Sequence, residues 1–274
     1  MREMTLKEVQ HVCLEILKDV HSFCVENHIN YSLSGGSLLG AIRHNGFIPW
    51  DDDADIQMSR PDYDRFIRTY TSKCGFKLFS PEIEGGEVAN ARIARVFEMD
   101  KTYVDQGPEI FVEQPVGVWI DILPVEGAPS DLVEAKKFLK QFAWGERIIC
   151  FLLYKNASFK EIRKFHDFHG YVKFVVKKFI SLFITIKHRD KAIQRLKQYD
   201  YDSSEYFCAS AHYGLREWQS KKNMENYILH RFEDTELYIM TGYDENLRSL
   251  YGEYMQIPPE GKRYKHDVYK RYWK

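Results

Sequence analysis

Four aspartates crowd into five positions: Asp51, Asp52, Asp53 and Asp55. Phe47 and Trp50 precede them and Ile56 follows, an apolar frame that a solvated acidic turn does not require. Carboxylates held this close repel one another, and a divalent cation relieves the repulsion. Hard oxygen ligands suit Mg2+ or Mn2+, with phosphate oxygens and water completing the shell. A strand over Asp53 to Met58 would put Asp53 and Asp55 on one face, because strand side chains repeat every second residue. That alternation selects them as ligands over Asp51 and Asp52, which then shape the loop. Asp121 is the third acid. It interrupts the apolar run from Gly117 to Pro124, where a lone carboxylate is costly unless paired or metal-bound. Together the three make a triad split between two strands, able to hold a metal and to do phosphoryl chemistry.

Gly35–Gly36–Ser37 supplies the complementary half. Two glycines permit a tight turn, and a helix opening there offers backbone N–H groups, a hydroxyl and its positive dipole end to a phosphate. Gly35, Gly36 and Ser37 are therefore the candidate phosphate cradle, with Arg43 and His44 one to two turns further along the helix. From the C-terminal stretch, Tyr251, Lys262, Arg263 and His266 either close over a bound donor or pack as a tail.

These residues need a scaffold. Residues 5–27 read as an amphipathic helix, with Thr5 and Glu8 forming a capping box. Residues 31–33 read as a short strand, 38–44 as a helix, 47–50 as a loop and 53–58 as a strand. A helix opens at Ser59–Arg60–Pro61 and runs to about Tyr70. Strands are expected at 76–80, 91–97 and 117–123, then long helices with short breaks over 129–157 and 160–199. Short strands around 227–229 and 237–239 and a helix at 243–251 complete the chain. The 274 residues, 44% hydrophobic, suffice for a substantial core, and a net charge of −1 argues against nucleic-acid binding. Five cysteines without CxxC spacing indicate reduced thiols in place of a disulfide framework or a zinc site.

The ordered blocks SLSGGSLLGAIRHNGFIPWDDDADI, GVWIDILPVEG and LRSLYGEYMQIPPEGKR resemble the LicD family, within the nucleotidyltransferase superfamily and related to fukutin-type proteins. The resemblance implies an α+β fold, with a DNA polymerase β-like nucleotidyltransferase core of mixed sheet and a helical insertion. We divide the chain accordingly into a catalytic core at 1–128, an acceptor- or membrane-facing helical region at 129–225, and a segment at 226–274 returning to the core. The resemblance further implies transfer of phosphocholine from CDP-choline to a hydroxyl of a cell-surface glycan: a teichoic acid, capsule or lipopolysaccharide precursor, lipid-linked in some systems. CMP would leave. Asp53 and Asp55 would hold the metal, and Asp121 would complete its shell or act as base.

Rival readings are a ribitol phosphate, glycerol phosphate or phosphoethanolamine donor, a nucleotidyltransferase acting on a small molecule or protein, and a non-catalytic scaffold. The last would be expected to lack a triad acid, and all three are present. A charged N-terminus without a signal-peptide pattern leads us to expect a cytoplasmic protein, with peripheral contact at the inner membrane face. Residues 171–187 are apolar and basic. They read first as a buried helix with snorkelling lysine stems, and second as an interfacial helix.

Overall fold

The computed structural model describes residues 1–83, 93–105, 116–152, 154, 168–210, 212–263 and 270–274. In chain order the strands are β1 (Arg2–Glu3), β2 (Ser32–Leu33), β3 (Asp55–Ser59), β4 (Lys77–Phe79), β5 (Ala94–Glu98), β6 (Thr102–Asp105), β7 (Val118–Ala128), β8 (Tyr206–Cys208), β9 (Gln219–Ser220), β10 (Tyr227–Phe232), β11 (Thr235–Met240) and β12 (Lys270–Trp273). The helices are α1 (Leu6–Glu26), α2 (Gly35–His44), α3 (Arg60–Thr69), α4 (Leu132–Leu152), α5 (Phe168–Ser181), α6 (Ile186–Leu196) and α7 (Tyr243–Tyr251). The protein is thus α+β.

Its main sheet runs β2-β3-β7-β5-β4, and β8 and β9 extend it from the far end of β7. Within it β3 and β7 are parallel and the other pairs antiparallel, so the sheet is mixed. Strand β7 is the spine. Val118, Ile120 and Ile122 are buried, while Trp119, Asp121 and Leu123 alternate onto the other, half-open face. Ile56 and Met58 of β3 join the buried face, which α1 and α3 cover. The apolar stripe of α1 supplies Val9, Val12, Ile16, Leu17 and Val20 to this core.

The Thr5–Glu8 capping box forms as its sequence indicates, with Glu8 N–H donating to Thr5 Oγ1 at 3.3 Å and Thr5 N–H to Glu8 at 2.8 Å. Helix α3 starts as expected, with Pro61 in its first turn and Ser59 Oγ accepting from the Asp62 N–H. Two local expectations shift. Helix α2 begins at Gly35 itself, three residues before Leu38, because Ser34 takes the N-cap position and its carbonyl already accepts from Leu38 N–H. Strand β3 begins at Asp55, not Asp53, so Asp53 lies in the loop leading into the strand.

The remaining differences are long-range. β7 continues five residues beyond Leu123, because β8, far along the chain, pairs with Glu126–Ala128. β6 exists because β12 pairs with it, and β1 adds to the other edge of β12. The 160–199 helical stretch is broken at residues 182–185 between α5 and α6, and its residues 160–167 lie outside the described residues. Helices α4 and α6 enclose a smaller core of Ala128, Phe138, Leu139, Phe142 and Leu196. The hairpin β10–β11 packs against β2, where Met240 N–H donates to Ser32 Oγ at 2.9 Å.

Candidate active site

The floor of the site is set by register. Asp55 on β3 stands opposite Asp121 on parallel β7, and Asp121 stands opposite Arg95 on antiparallel β5. Residues aligned across adjacent strands share a face, so an acid, an acid and a guanidinium form one row across the sheet. Arg95 Nε donates to Asp121 Oδ1 at 2.6 Å and stacks its guanidinium over Trp119 at 5.0 Å. Two residues further along, Gln57 and Leu123 continue the same face.

Asp55, Asp121, Gln57 and Leu123 floor a pocket of about 500 Å3. The N-terminal turn of α2, with Ser34, Gly35 and Gly36, forms one wall, beside Trp50, Asp51 and Asp53. A second wall comes from Tyr213, Glu217 and Tyr251. Gly35 has φ +50°, the left-handed region that favours glycine. A Cβ on Gly36 would lie 2.8 Å from Asp51 Oδ2. An acid beside a helix N-terminus is electrostatically favourable, and glycine is what allows it to come so close. Gly36→Ala should therefore displace Asp51, lowering turnover by about 10²-fold with little loss of thermal stability. Steady-state product release and a melting curve on the same preparation check this.

The predicted residues divide. Gly35, Gly36, Asp53, Asp55 and Asp121 all line the pocket. Ser37 is buried, and its Oγ accepts the Asp55 N–H at 2.9 Å, so it braces the strand carrying Asp55 in place of facing a phosphate. Arg43 donates to the Tyr254 carbonyl at 2.8 Å, and its Nε donates to His44 Nε2 at 2.9 Å. The His44 ring meets Trp50 edge-on. This pair ties α2 to the C-terminal segment behind the pocket wall. Arg263 stacks on Trp50 at 4.5 Å. Lys262 lies on a short 3-10 turn, Glu260–Lys262. Its side chain and all of His266 lie outside the described residues.

The acidic loop is held from outside. Gln10 Nε2 donates to the Asp51 and Ile48 carbonyls at 2.7 and 3.2 Å, and Asp52 pairs with Arg271 of β12. Asp53 precedes β3, so strand alternation does not by itself set it on the face of Asp55. Both nevertheless reach the pocket, because the anchored loop carries Asp53 there. Asp51 lines it as well.

Loss of water raises the Asp55 carboxyl well above its ordinary range, and the charges of Asp53, Asp121 and Asp51 add to the rise; Arg95 only partly offsets them. Burial pushes Asp51 up to about 6, reinforced by the charge of Asp52, while a hydrogen bond with Asp53 works the other way. Among the described residues no three His, Cys, Asp or Glu side chains are grouped as a ready-made metal site. Arg95 occupies the flank of Asp121. The donor chemistry still fits a hard divalent cation: the acids lining the pocket offer only oxygen, and their mutual repulsion lacks a full counter-charge.

Sequence reasoning missed Arg95 and the wall of Tyr213 and Glu217. Arg95 carries no local signal, since only strand register sets it beside Asp121. Tyr213 precedes and Glu217 ends a 3-10 turn, Gly214–Glu217, with no motif.

Residues 28–125 match the family model described as LicD/FKTN/FKRP, nucleotidyltransferase domain. The chain is 29% identical to the lipopolysaccharide cholinephosphotransferase LicD of Haemophilus influenzae, over 99% of each chain. A shorter match, 46% identity over 48 residues, is found with an uncharacterized protein of Rickettsia prowazekii, covering 18% of each chain. A protein of Rickettsia typhi matches at the same identity and length, covering 18% of this chain and 16% of its own.

Proposed function

We propose that this chain is a LicD-type enzyme that transfers phosphocholine from CDP-choline to a hydroxyl of a cell-surface glycan, releasing CMP. It is a phosphotransferase of the LicD type, and the full-length similarity to a lipopolysaccharide cholinephosphotransferase supports both the transferred group and the glycan class of acceptor. The observation that carries the chemistry is the in-register row of Asp55 and Asp121 facing the N-terminus of α2 across one pocket. The mixed sheet with its acidic floor also supports reading the core as nucleotidyltransferase-like.

In this reading Asp53, Asp55 and Asp121 would hold Mg2+ or Mn2+, which would supply charge neutralisation for the phosphates and for the leaving CMP. The N–H groups at the start of α2 orient the donor phosphates. Ser37 and the β3–β7 pairing keep Asp55 in register with Asp121. Arg95 holds Asp121 in one orientation, and the Asp121 carboxylate would either complete the metal shell or accept the acceptor's proton. The acceptor oxygen attacks the phosphorus next to choline, that P–O bond forms as the bond to CMP breaks, and the hydroxyl proton leaves to base or water. Tyr213, Tyr251 and Glu217 suit a quaternary ammonium better than a polyol, because ring faces and a carboxylate attract a cation that cannot donate hydrogen bonds.

The test is a donor panel of CDP-choline, CDP-ribitol, CDP-glycerol and CDP-ethanolamine, with CMP release followed. CDP-choline should be turned over fastest. Excess EDTA should abolish turnover, and Mg2+ or Mn2+ should restore it. Preference for a polyol donor would replace the head-group assignment. Pyrophosphate release from a nucleoside triphosphate would replace the reaction, and full activity in excess chelator would remove the metal.

A further inference from the structure

Helix α5 is apolar on the wrong side for a helix that belongs only to a core. Its inner face is set by Phe174 and Ser181, 1% and 0% exposed, with the Phe174 ring 5.9 Å from Tyr154. Its outer face carries Val172, Val176 and Phe179 at helical spacing, and Phe183 follows just past the end. These are 39%, 51%, 62% and 66% exposed. The rings of Phe179 and Phe183 meet edge to face at 5.3 Å, making one contiguous tip. Leu182 and Ile186 extend it around the corner into α6. The buried-helix reading thus holds for one face only.

Three further features identify what this corner meets. Residues 171–191 contain six Lys or Arg and one acid in a chain of net charge −1. Lys173 on α5 and Lys187 and Lys191 on α6 are exposed. The corner's backbone is internally bonded: Leu182, Phe183 and Ile184 N–H groups donate to the carbonyls three residues earlier at 3.2, 3.0 and 3.2 Å. A segment entering an apolar phase needs its backbone satisfied in this way. A second copy docking by the same patch would set lysines against lysines. Among the described residues no helix is long and apolar enough to cross a membrane. An exposed apolar tip with exposed lysines on the same two short helices matches partial insertion beneath anionic headgroups.

We infer that the α5–α6 corner is a docking surface for an anionic membrane, with Phe179, Leu182 and Phe183 entering the acyl boundary and the flanking lysines meeting lipid phosphates. Docking there holds the protein at the surface where a lipid-linked acceptor would lie, but the inference itself does not depend on the donor. Flotation of the full chain with vesicles tests it, comparing phosphatidylcholine alone with phosphatidylcholine containing phosphatidylglycerol. The protein should float with the anionic vesicles and bind neutral ones roughly tenfold or more weakly. Phe179→Ser with Phe183→Ser should abolish flotation, and Lys173→Glu with Lys187→Glu should remove the lipid preference. Both variants should keep the wild-type circular dichroism spectrum and CMP release from a soluble donor. No flotation with anionic vesicles, or undiminished flotation of the double serine variant, overturns the inference. So does a wild-type dimer in light scattering that the double serine variant loses, because the corner would then be a self-interface.

Discussion

Asp55→Asn should yield a folded protein that has lost transfer activity by at least about 10³-fold and melts at a higher temperature than wild type. The two effects share one cause. Asp55 stands between Asp53, Asp121 and Asp51, with Arg95 as the cation acting against them. In the absence of a divalent cation, that arrangement holds like charges together with little water to separate them. Replacing the carboxylate by an amide of the same shape removes one charge from the group. Relief of about 1 kcal/mol would raise Tm by about 2–4 °C for a chain of this size. The same substitution removes a proposed metal ligand, and loss of phosphate-charge stabilisation costs several kcal/mol in the barrier.

The sign with pH follows from the raised carboxyl. A carboxyl whose folded pKa lies above its unfolded value favours the fold fully below the unfolded value, and that contribution is lost as pH rises through the folded one. The advantage of Asp55→Asn should therefore be largest in alkaline buffer and shrink as pH falls, where the wild-type carboxyl is neutral too. Added Mg2+ should raise the wild-type Tm and leave that of the variant nearly unchanged. Calorimetry with and without metal, across pH, measures all of this. A variant melting below wild type in alkaline buffer, or equal Mg2+ shifts in both proteins, would refute the charge-crowding account.

Arg60→Met should cause the largest loss of stability of any substitution considered, about 3–5 kcal/mol, with Tm falling on the order of 10 °C. Arg60 opens α3 and reaches Glu126 on β7, whose side chain is 2% exposed, with Nε to Oε2 at 3.0 Å. It also reaches Asp64 at 3.0 Å and Glu82 at 3.1 Å. Lys197, just beyond α6, closes the network on Glu82. Removing the guanidinium leaves Glu126 charged in a site with no solvent to replace its partner. A buried pair is of little net benefit over apolar residues, but half of one is strongly destabilising. Glu126→Gln in the Arg60→Met background should therefore recover much of the loss, and urea denaturation of the single and double variants decides it. The network lies on the far stretch of β7 from Asp121, so residual activity per folded molecule should stay close to wild type. Additive losses in the double variant would show that Arg60 acts through packing on Tyr63, over whose ring it lies at 4.8 Å.

The local pieces are legible in the amino-acid sequence. Thr5 and Glu8 are three residues apart, so their reciprocal caps need nothing beyond the first turn of α1. Pro61 and Ser59 mark the start of α3 in the same local way. The apolar run from Val118 to Leu123, broken only by Asp121, declares a strand, and the crowding of Asp51 to Asp55 declares an acid site, because each signal lies within a few residues. The tertiary structure decided everything that depends on strands meeting. Only the parallel pairing of β3 with β7 sets Asp55 beside Asp121, and only the antiparallel pairing of β5 adds Arg95 to their row. Arg271 reaches Asp52 from the other end of the chain, turning a repulsive acidic run into an anchored loop. Ser37 turned inward to the Asp55 N–H, a choice that the Gly-Gly-Ser motif leaves open. The exposed face of α5 belongs to the same class, since an apolar helix reads alike in sequence whether its second face meets protein or solvent. Register, long-range charge pairing and the covering of a face are properties of distant segments brought together. For that reason the acids of the site could be read from the chain, while their partners could not.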